Sequence, residues 1–296
     1  MNALILPKLL QLFTKLYPIE RGKFRILSEI FFRHVAPRSS KVVQGSLSYG
    51  IRMQLDISEF LQAHLFLFGS YELPTVRFIR SMLRSGDTAI DVGAQIGYLT
   101  LAMATSSNST IEVHSFEPES HNLERLRTNV SLNPGVNVSI IEKAASNVDG
   151  MLRLYLSHDH NSGTHSTIPN GVNVSTNFVE IPSVTLDSYA AAKNIQRLRL
   201  IKIDVEGGEL EVIKGAQKIL RELKPIIIME LSDALQAARG FSTHEFKRLL
   251  LADEYNSFTI NDWGRLVASN VEATHAMDNV VFVHSSQMES MRSFLA

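Results

Sequence analysis

The chain has 296 residues, 45% of them hydrophobic, with 29 basic and 30 acidic side chains and a formal net charge of −1. That length and apolar share can bury a full α/β core, while the balanced charge leaves no electrostatic footprint for nucleic acid. The absence of cysteine excludes disulfides and thiolate catalysis and fits a reducing, cytoplasmic setting.

The opening run, MNALILPKLLQLFTKLYPI, is apolar enough to look like a targeting segment. However, Lys8 and Lys15 interrupt it, Pro7 and Pro18 bracket it, and neither a positive leading region nor a small-residue cleavage site accompanies it. It reads as an amphipathic helix, followed by a second over 21–34, in an N-terminal helical segment (1–40) that packs on the core or on a second subunit of a homo-oligomer. The basic set Lys8, Lys15, Arg21, Lys23 and Arg25 is what peripheral membrane contact would use. No transmembrane segment is expected, and residues 41–296 are expected to form one domain.

Residues 42–55 predict a hairpin turning at Tyr49-Gly50, and 73–84 a helix leading into the Gly86-Asp87 turn. The most informative stretch follows: DTAIDVGAQIGYLTLAMA, residues 87–104. Ala89 to Val92 read as a buried strand, Gly93 and Gly97 punctuate a turn, and 98–104 continue as a helix. Twenty-four residues after Gly93, the strand in IEVHSFEPES ends on Glu117. In a βαβ unit such an acid stands where it can accept hydrogen bonds from both ribose hydroxyls, so an adenosyl ligand is expected. A pyrophosphate needs a glycine in the middle of the turn, but Gln95 stands there. The side chain disfavours a nucleotide-dependent oxidoreductase, the competing reading. It is compatible with S-adenosylmethionine, whose amino-acid carboxylate can take the helix N-terminus.

Further along, a helix is expected over 120–132, strands over 136–142, 151–156 and 178–184, and a long polar insertion over 157–177. A strand over 199–204, a helix over 209–222, a strand over 225–230 and a helix over 243–252 follow. The chain then ends in strands over 257–260 and 279–284, with Trp263 pinning the turn before the last. No helix separates those two strands, so one of them runs antiparallel. The histidines His158 and His160 form an H-x-H pair in the insertion, but no partner set supports a metal site.

Four segments together resemble the FkbM family of S-adenosylmethionine-dependent methyltransferases: DVGAQIGYLT, SFEPESHNLERLRTNVSLN, LIKIDVEGGELEVIKGAQKIL and PIIIMEL. The similarity covers roughly 47–231, and FGSYE at 68–72 resembles the element preceding the family's first strand. Gln95 replaces the usual asparagine. The resemblance implies a class I methyltransferase Rossmann-like fold: a seven-stranded, mostly parallel, doubly wound α/β sheet with an antiparallel last strand, plus the N-terminal helices. It also implies O-methylation of a hydroxyl on a sugar or small metabolite; a cofactor-binding scaffold without transferase activity is the alternative.

The expected cofactor set is Glu72, Asp91, Gly93, Ala94, Gln95, Gly97, Tyr98, Glu117, Pro118, Asn122 and Ala144. Asp91 would balance the ammonium or sulfonium charge or else bond the turn backbone. Glu72 would meet the same ammonium or stay a solvated loop acid. Pro118 and Asn122 would border ribose and adenine, although Asn122 also reads as a solvated helix residue; Ala144 leaves room for adenine. On the acceptor side, alternation puts Lys202, Asp204 and Glu206 on one face of a strand, which is unusual for a strand buried on both faces. Asp204 is the first candidate to take the acceptor's proton and His165 the second, with Glu206 and Glu230 as further acids at the same cleft. The plainer reading has Asp204 and Glu206 capping the following helix, with Lys202 as ion-pair partner.

Overall fold

The computed structural model describes residues 11–12, 41–157, 165–167, 174–238, 240, 242–270, 275 and 278–296. The helices expected over 1–40, apart from helical Gln11 and Leu12, lie outside these residues. So does most of the 157–177 insertion, including His158 and His160. The chain divides into two compact units, Met1–Glu72 and Leu73–Ala296.

In the first unit, β1 (Val42–Ser46) pairs antiparallel with β2 (Arg52–Asp56). The hairpin turns at Tyr49 (φ 61°) and Gly50 (φ 75°), the position expected from the sequence. Helix α1 (Phe60–Phe68) packs on β2, its Leu65 and Phe66 are buried, and it stops at Gly69 (φ 76°), whose N–H returns to the Leu65 carbonyl. Glu72 closes this unit with φ 45°.

The second unit opens with α2 (Leu73–Met82) and then alternates: β3 (Thr88–Val92), α3 (Tyr98–Ala104), β4 (Glu112–Phe116), α4 (Ser120–Ser131), β5 (Asn137–Ile141). Short β6 (Ala144–Ala145) and the hairpin β7 (Gly150–Ser157) and β8 (Val174–Val184) form a separate three-stranded sheet in the order β6-β8-β7. Then come α5 (Leu186–Ala192), β9 (Leu200–Ile203), α6 (Glu209–Lys214), α7 (Gln217–Glu222), β10 (Ile226–Leu231), α8 (Asp233–Ala238), α9 (Thr243–Ala252), β11 (Tyr255–Ile260), β12 (Leu266–Ala268), β13 (Asp278–His284) and α10 (Met288–Met291). The single helix expected over 209–222 is instead two, interrupted at Gly215 and Ala216; at Gly215 a Cβ would stand 1.9 Å from the Ser146 carbonyl oxygen, so only glycine fits that approach.

The main sheet runs β12-β11-β13-β10-β9-β3-β4-β5. Five neighbours, from β10 to β5, are parallel, and β13 is antiparallel to both β10 and β11. The antiparallel last strand is therefore present, but the sheet has eight strands where seven were expected. The additional one, β12, arises because the chain folds back on β11 after the turn at 261–264. That turn is held by Asn261, whose Oδ1 accepts the N–H groups of Trp263 and Arg265, each at 3.0 Å. Trp263 itself is 79% exposed and pins nothing there, which corrects its expected role.

Side-chain alternation sends Ile90, Val92, Ile201, Ile203, Ile227 and Met229 to one face, packed on α5, α6 and α7. Ala89, Val113, Leu200, Ile226 and Ile228 go to the other, packed on α2 and α3. Both faces are covered by helices, as a doubly wound sheet requires. The strand order reverses direction between β3 and β9, and in open α/β sheets ligands bind outside the carboxyl ends at such a switch point.

Candidate active site

At that switch point a cavity, open at its mouth, lies over the carboxyl ends of β3, β4 and β9. Its floor on one side is the glycine turn. The N–H groups of Gly93 and Ala94 both donate to the Phe116 carbonyl at 3.0 Å, and that of Gly97 to Ala94 at 2.8 Å. Gly93 takes φ 84°, and a Cβ there would come within 1.8 Å of the Asp204 carbonyl oxygen. The glycine is thus demanded by the neighbouring β9 turn as well as by its own left-handed backbone. Gln95 is left-handed too, at φ 50°, and its N–H donates to Glu117 Oε2 at 2.8 Å. Gly93 and Gln95 line the cavity, while Ala94, Gly97 and Tyr98 are buried in the packing behind it.

Glu117 is the hinge of this region. Its second oxygen accepts the Glu119 N–H at 2.9 Å, and its carboxylate is also bonded by the Asn122 side chain. Burial pushes it up to about 7, against the lowering effect of those hydrogen bonds. Asn122 is buried on the cavity wall, not solvated on its helix. Beside it stand Pro118 and an apolar slot of Phe116, Ala144, Leu152 and Leu154. The slot's last two residues come from β7, so the small sheet forms one wall.

Asp91 is placed differently. Strand alternation and register put Ser115, Asp91 and Lys202 side by side on the α3 face of β4, β3 and β9. Asp91 Oδ2 accepts from the Thr100 hydroxyl at 2.6 Å. The Thr100 backbone also bonds the carboxylate, and burial raises it to about 6 despite both bonds and the Lys202 charge. It therefore anchors the first turn of α3 and lies beneath the cavity wall. Glu72 belongs to the first unit.

The opposite side of the cavity is acidic. Asp204 continues the β9 ladder, its N–H donating to Val92 at 2.9 Å, and its Oδ2 lies 3.3 Å from Nζ of fully buried Lys202. Glu206 has φ 51°. Burial, then the charges of Asp204 and Glu209, push its carboxyl up to about 8. One carboxylate oxygen each from Asp204, Glu206 and Glu230 can be chosen so that all lie within 4.8 Å of one another, a spacing that could hold a cation. Helix capping does not explain Asp204 or Glu206, because the N-cap of α6 is Gly208 with no side-chain cap bond. Glu209 does the holding instead, a residue the sequence reading overlooked. Its Oε1 accepts the Val205 and Gly207 N–H groups at 3.3 and 3.1 Å, and its Oε2 accepts from Gln236 at 2.6 Å. The available signal was a glutamate in the first turn of a helix, which sequence alone cannot separate from a solvated dipole partner.

The insertion reaches the cavity through 165–167. Ser166 is tied to Tyr155 of β7 by two backbone bonds and donates its hydroxyl to the Glu206 carbonyl at 2.7 Å. That tether sets His165 and Thr167 on the cavity wall with Asp204 and Glu206.

Comparison with known proteins gives this geometry a context. The Hexuronic acid methyltransferase AglP of Haloferax volcanii is 26% identical over 157 residues, 53% of this chain and 61% of that protein. The match therefore spans less than two thirds of the relative's length. Among solved structures, Methyltransferase FkbM from Methylobacillus flagellatus KT is 16% identical with a TM-score of 0.45, over 88% of this chain and 60% of that one. TYW2 of M. jannaschii in complex with AdoMet is 13% identical with a TM-score of 0.40, over 84% and 90%. The model of the Methyltransferase FkbM domain matches residues 91–258, from the acid that anchors the first turn of α3, through both sides of the cavity, to β11. More than half of the chain lies within that match, and the protein belongs to the FkbM methyltransferase domain family.

Proposed function

We propose that this protein transfers a methyl group from S-adenosylmethionine to a hydroxyl of a sugar or small metabolite. The observation that carries the reading is the division of one cavity into a ribose-and-adenine end and an acidic end. Glu117 with Asn122 offers acceptors for ribose hydroxyls, and the slot of Phe116, Ala144, Leu152 and Leu154 suits a flat apolar ring. Gln95, on the wall with a left-handed backbone, occupies the place where a pyrophosphate would need glycine. Bound in this way, the cofactor supplies a methyl group activated by a sulfonium.

The chain's own residues then position an acceptor. Holding the hydroxyl in line contributes on the order of 7 to 11 kcal/mol in well-oriented systems, and the proton it sheds needs an acceptor within hydrogen-bond reach. Asp204 takes that role, with Lys202 fixing its carboxylate from behind. Glu206, raised to about 8, retains its proton at neutral pH and donates a hydrogen bond, so the two acids divide the work. His165 borders the same space, and Glu230 brings a carboxylate oxygen beside those of Asp204 and Glu206. Support for a sugar acceptor comes from the activity in the Haloferax relative's name.

Calorimetry with S-adenosylmethionine, its demethylated product and NAD tests the cofactor half. The adenosyl compounds are expected to bind and NAD is not; the reverse would sink the reading. For the acceptor half, a 14-dalton mass gain on a sugar or hydroxylated metabolite is the readout. Asp204→Asn should retain cofactor affinity while lowering turnover about a hundredfold. Full turnover in that variant would move the proton acceptor to Glu206, Glu230 or His165.

A further inference from the structure

The turn that carries Asp204 and Glu206 is gripped from outside the cavity. Glu209 Oε1 accepts the Val205 and Gly207 N–H groups at 3.3 and 3.1 Å, both long for a charged acceptor. Its Oε2 accepts the Gln236 amide at 2.6 Å, the shortest of the three bonds. Gln236 is 1% exposed and does not line the cavity, and its Oε1 has no hydrogen-bond partner among the described residues. A buried amide with one end unsatisfied is costly, and an apolar side chain of the same shape would avoid that cost. What such a side chain lacks is the N–H that meets Glu209. The amide is itself held in place by the anchoring of α8. The Asp233 N–H donates to the His275 carbonyl at 2.9 Å, and the Asp233 carboxylate accepts the His275 N–H at 2.7 Å and the Thr243 hydroxyl. Because α8 begins three residues after Glu230, the segment that follows β10 and the turn that follows β9 are joined through this one amide.

We propose that Gln236 is a positioning residue for methyl transfer, acting through Glu209 to fix the turn that presents Asp204 and Glu206. The inference rests on the transferase reading and adds to it a residue that lies off the cavity wall. A carboxylate that is 3% exposed, as Glu209 is, keeps its charge only where hydrogen bonds replace water. Deprived of the amide, Glu209 takes up a proton or turns towards water, and either change loosens its hold on the Val205 and Gly207 N–H groups. Asp204 precedes Val205 and Glu206 lies between Val205 and Gly207, so both carboxyls shift with those peptides. A displacement of about 1 Å from a change remote from the chemistry is enough to cost on the order of a hundredfold in rate.

The test compares the full chain with Gln236→Met, which keeps the shape of the glutamine without its donor, with Glu209→Ala, and with the double variant. Amide hydrogen exchange at Val205 and Gly207 is read by NMR, S-adenosylhomocysteine binding by calorimetry, and turnover from labelled S-adenosylmethionine on the acceptor to which the wild type adds 14 daltons. In Gln236→Met those two amides should exchange about tenfold faster and turnover should fall about tenfold or more, with S-adenosylhomocysteine affinity unchanged. In the Glu209→Ala background the same change should cost little further turnover, because a residue that acts through its partner loses its effect with that partner. Gln236→Glu, in which one proton shared by two buried carboxyls keeps a donor at Oε2, should retain most of the turnover, and it decides the matter if the methionine variant does not fold. Three results each overturn the inference and leave the transferase reading standing: wild-type exchange and turnover in Gln236→Met, additive losses in the double variant, or a folded Gln236→Glu no faster than Glu209→Ala. Failure of the wild type to bind either adenosyl compound overturns both.

Discussion

Two turns meet at the carboxyl end of the sheet, 93–97 after β3 and 204–209 after β9, and they are built alike. Each forces a residue other than glycine into left-handed backbone, Gln95 at φ 50° and Glu206 at φ 51°, a conformation that costs on the order of 1 to 3 kcal/mol. Each is held by a buried glutamate that accepts two backbone N–H groups: Glu117 from Gln95 and Glu119, Glu209 from Val205 and Gly207. They differ in what they turn towards the cavity. The first contributes Gly93 and the amide-bearing Gln95 and has its clamp on the cavity wall. The second displays Asp204 and Glu206 and buries its clamp behind them. One construction thus yields a neutral platform on one side and a pair of carboxyl groups on the other, and the clamp's position decides whether it also faces the cavity.

The largest effect should come from breaking the contact between the turns. Gly93→Ala places a Cβ 1.8 Å from the Asp204 carbonyl oxygen at φ 84°, combining overpacking with backbone strain. The expected loss of stability is about 3 kcal/mol or more. Urea denaturation measures it, and a variant as stable as the wild type would show that the turns can separate freely.

The clamps can be compared next. Glu117→Ala and Glu209→Ala each strand two backbone donors, and hydrogen bonds to a charged group are worth roughly 1.5 to 3 kcal/mol, so both should lower the urea midpoint. Only Glu117→Ala should also weaken S-adenosylhomocysteine binding, by about tenfold to a hundredfold, because only Glu117 lines the cavity. Equal affinity losses in calorimetry would mean that Glu117 acts on the ligand purely through the shape of the turn.

The narrowest comparison is the pH signature of Glu206. Its carboxyl is raised from 4.5 to about 8 in the fold, so between those values the folded state binds more protons than the unfolded one. Stability should therefore fall as pH rises through that window. Glu206→Gln removes the ionisable group, and its melting temperature should exceed the wild type's by a few degrees at pH 8 while matching it near pH 4.5. Parallel melting curves across the range would place the perturbed proton elsewhere in the acid group.

Much of this was legible in the sequence wherever a local rule applied. Alternating and continuous apolar runs marked the strands of the main sheet other than β12. The Gly93 to Gly97 spacing marked the turn, and the 24-residue step to Glu117 marked the acid on the next strand. Period-two alternation correctly paired Lys202 with Asp204 on one face. It could not carry on to Glu206, because β9 ends at Ile203 and the chain enters a left-handed turn. Nor could it rank the glutamates. Glu209 and Glu211 look alike in sequence, yet one is buried with its carboxylate bonded to backbone N–H groups of the acid turn and the other lines the cavity.

Sequence alone determined the α/β class, the glycine turn after β3 and the family, because each depends on residues close together in the chain and on backbone conformations that few residue types accept. Tertiary structure alone decided the eighth strand, the meeting of Gly93 with Asp204, the burial of Asp91 under the cavity wall and the approach of His165 through Ser166. These depend on contacts between distant segments, and a residue's type does not say which of several neighbours its polar atoms will face.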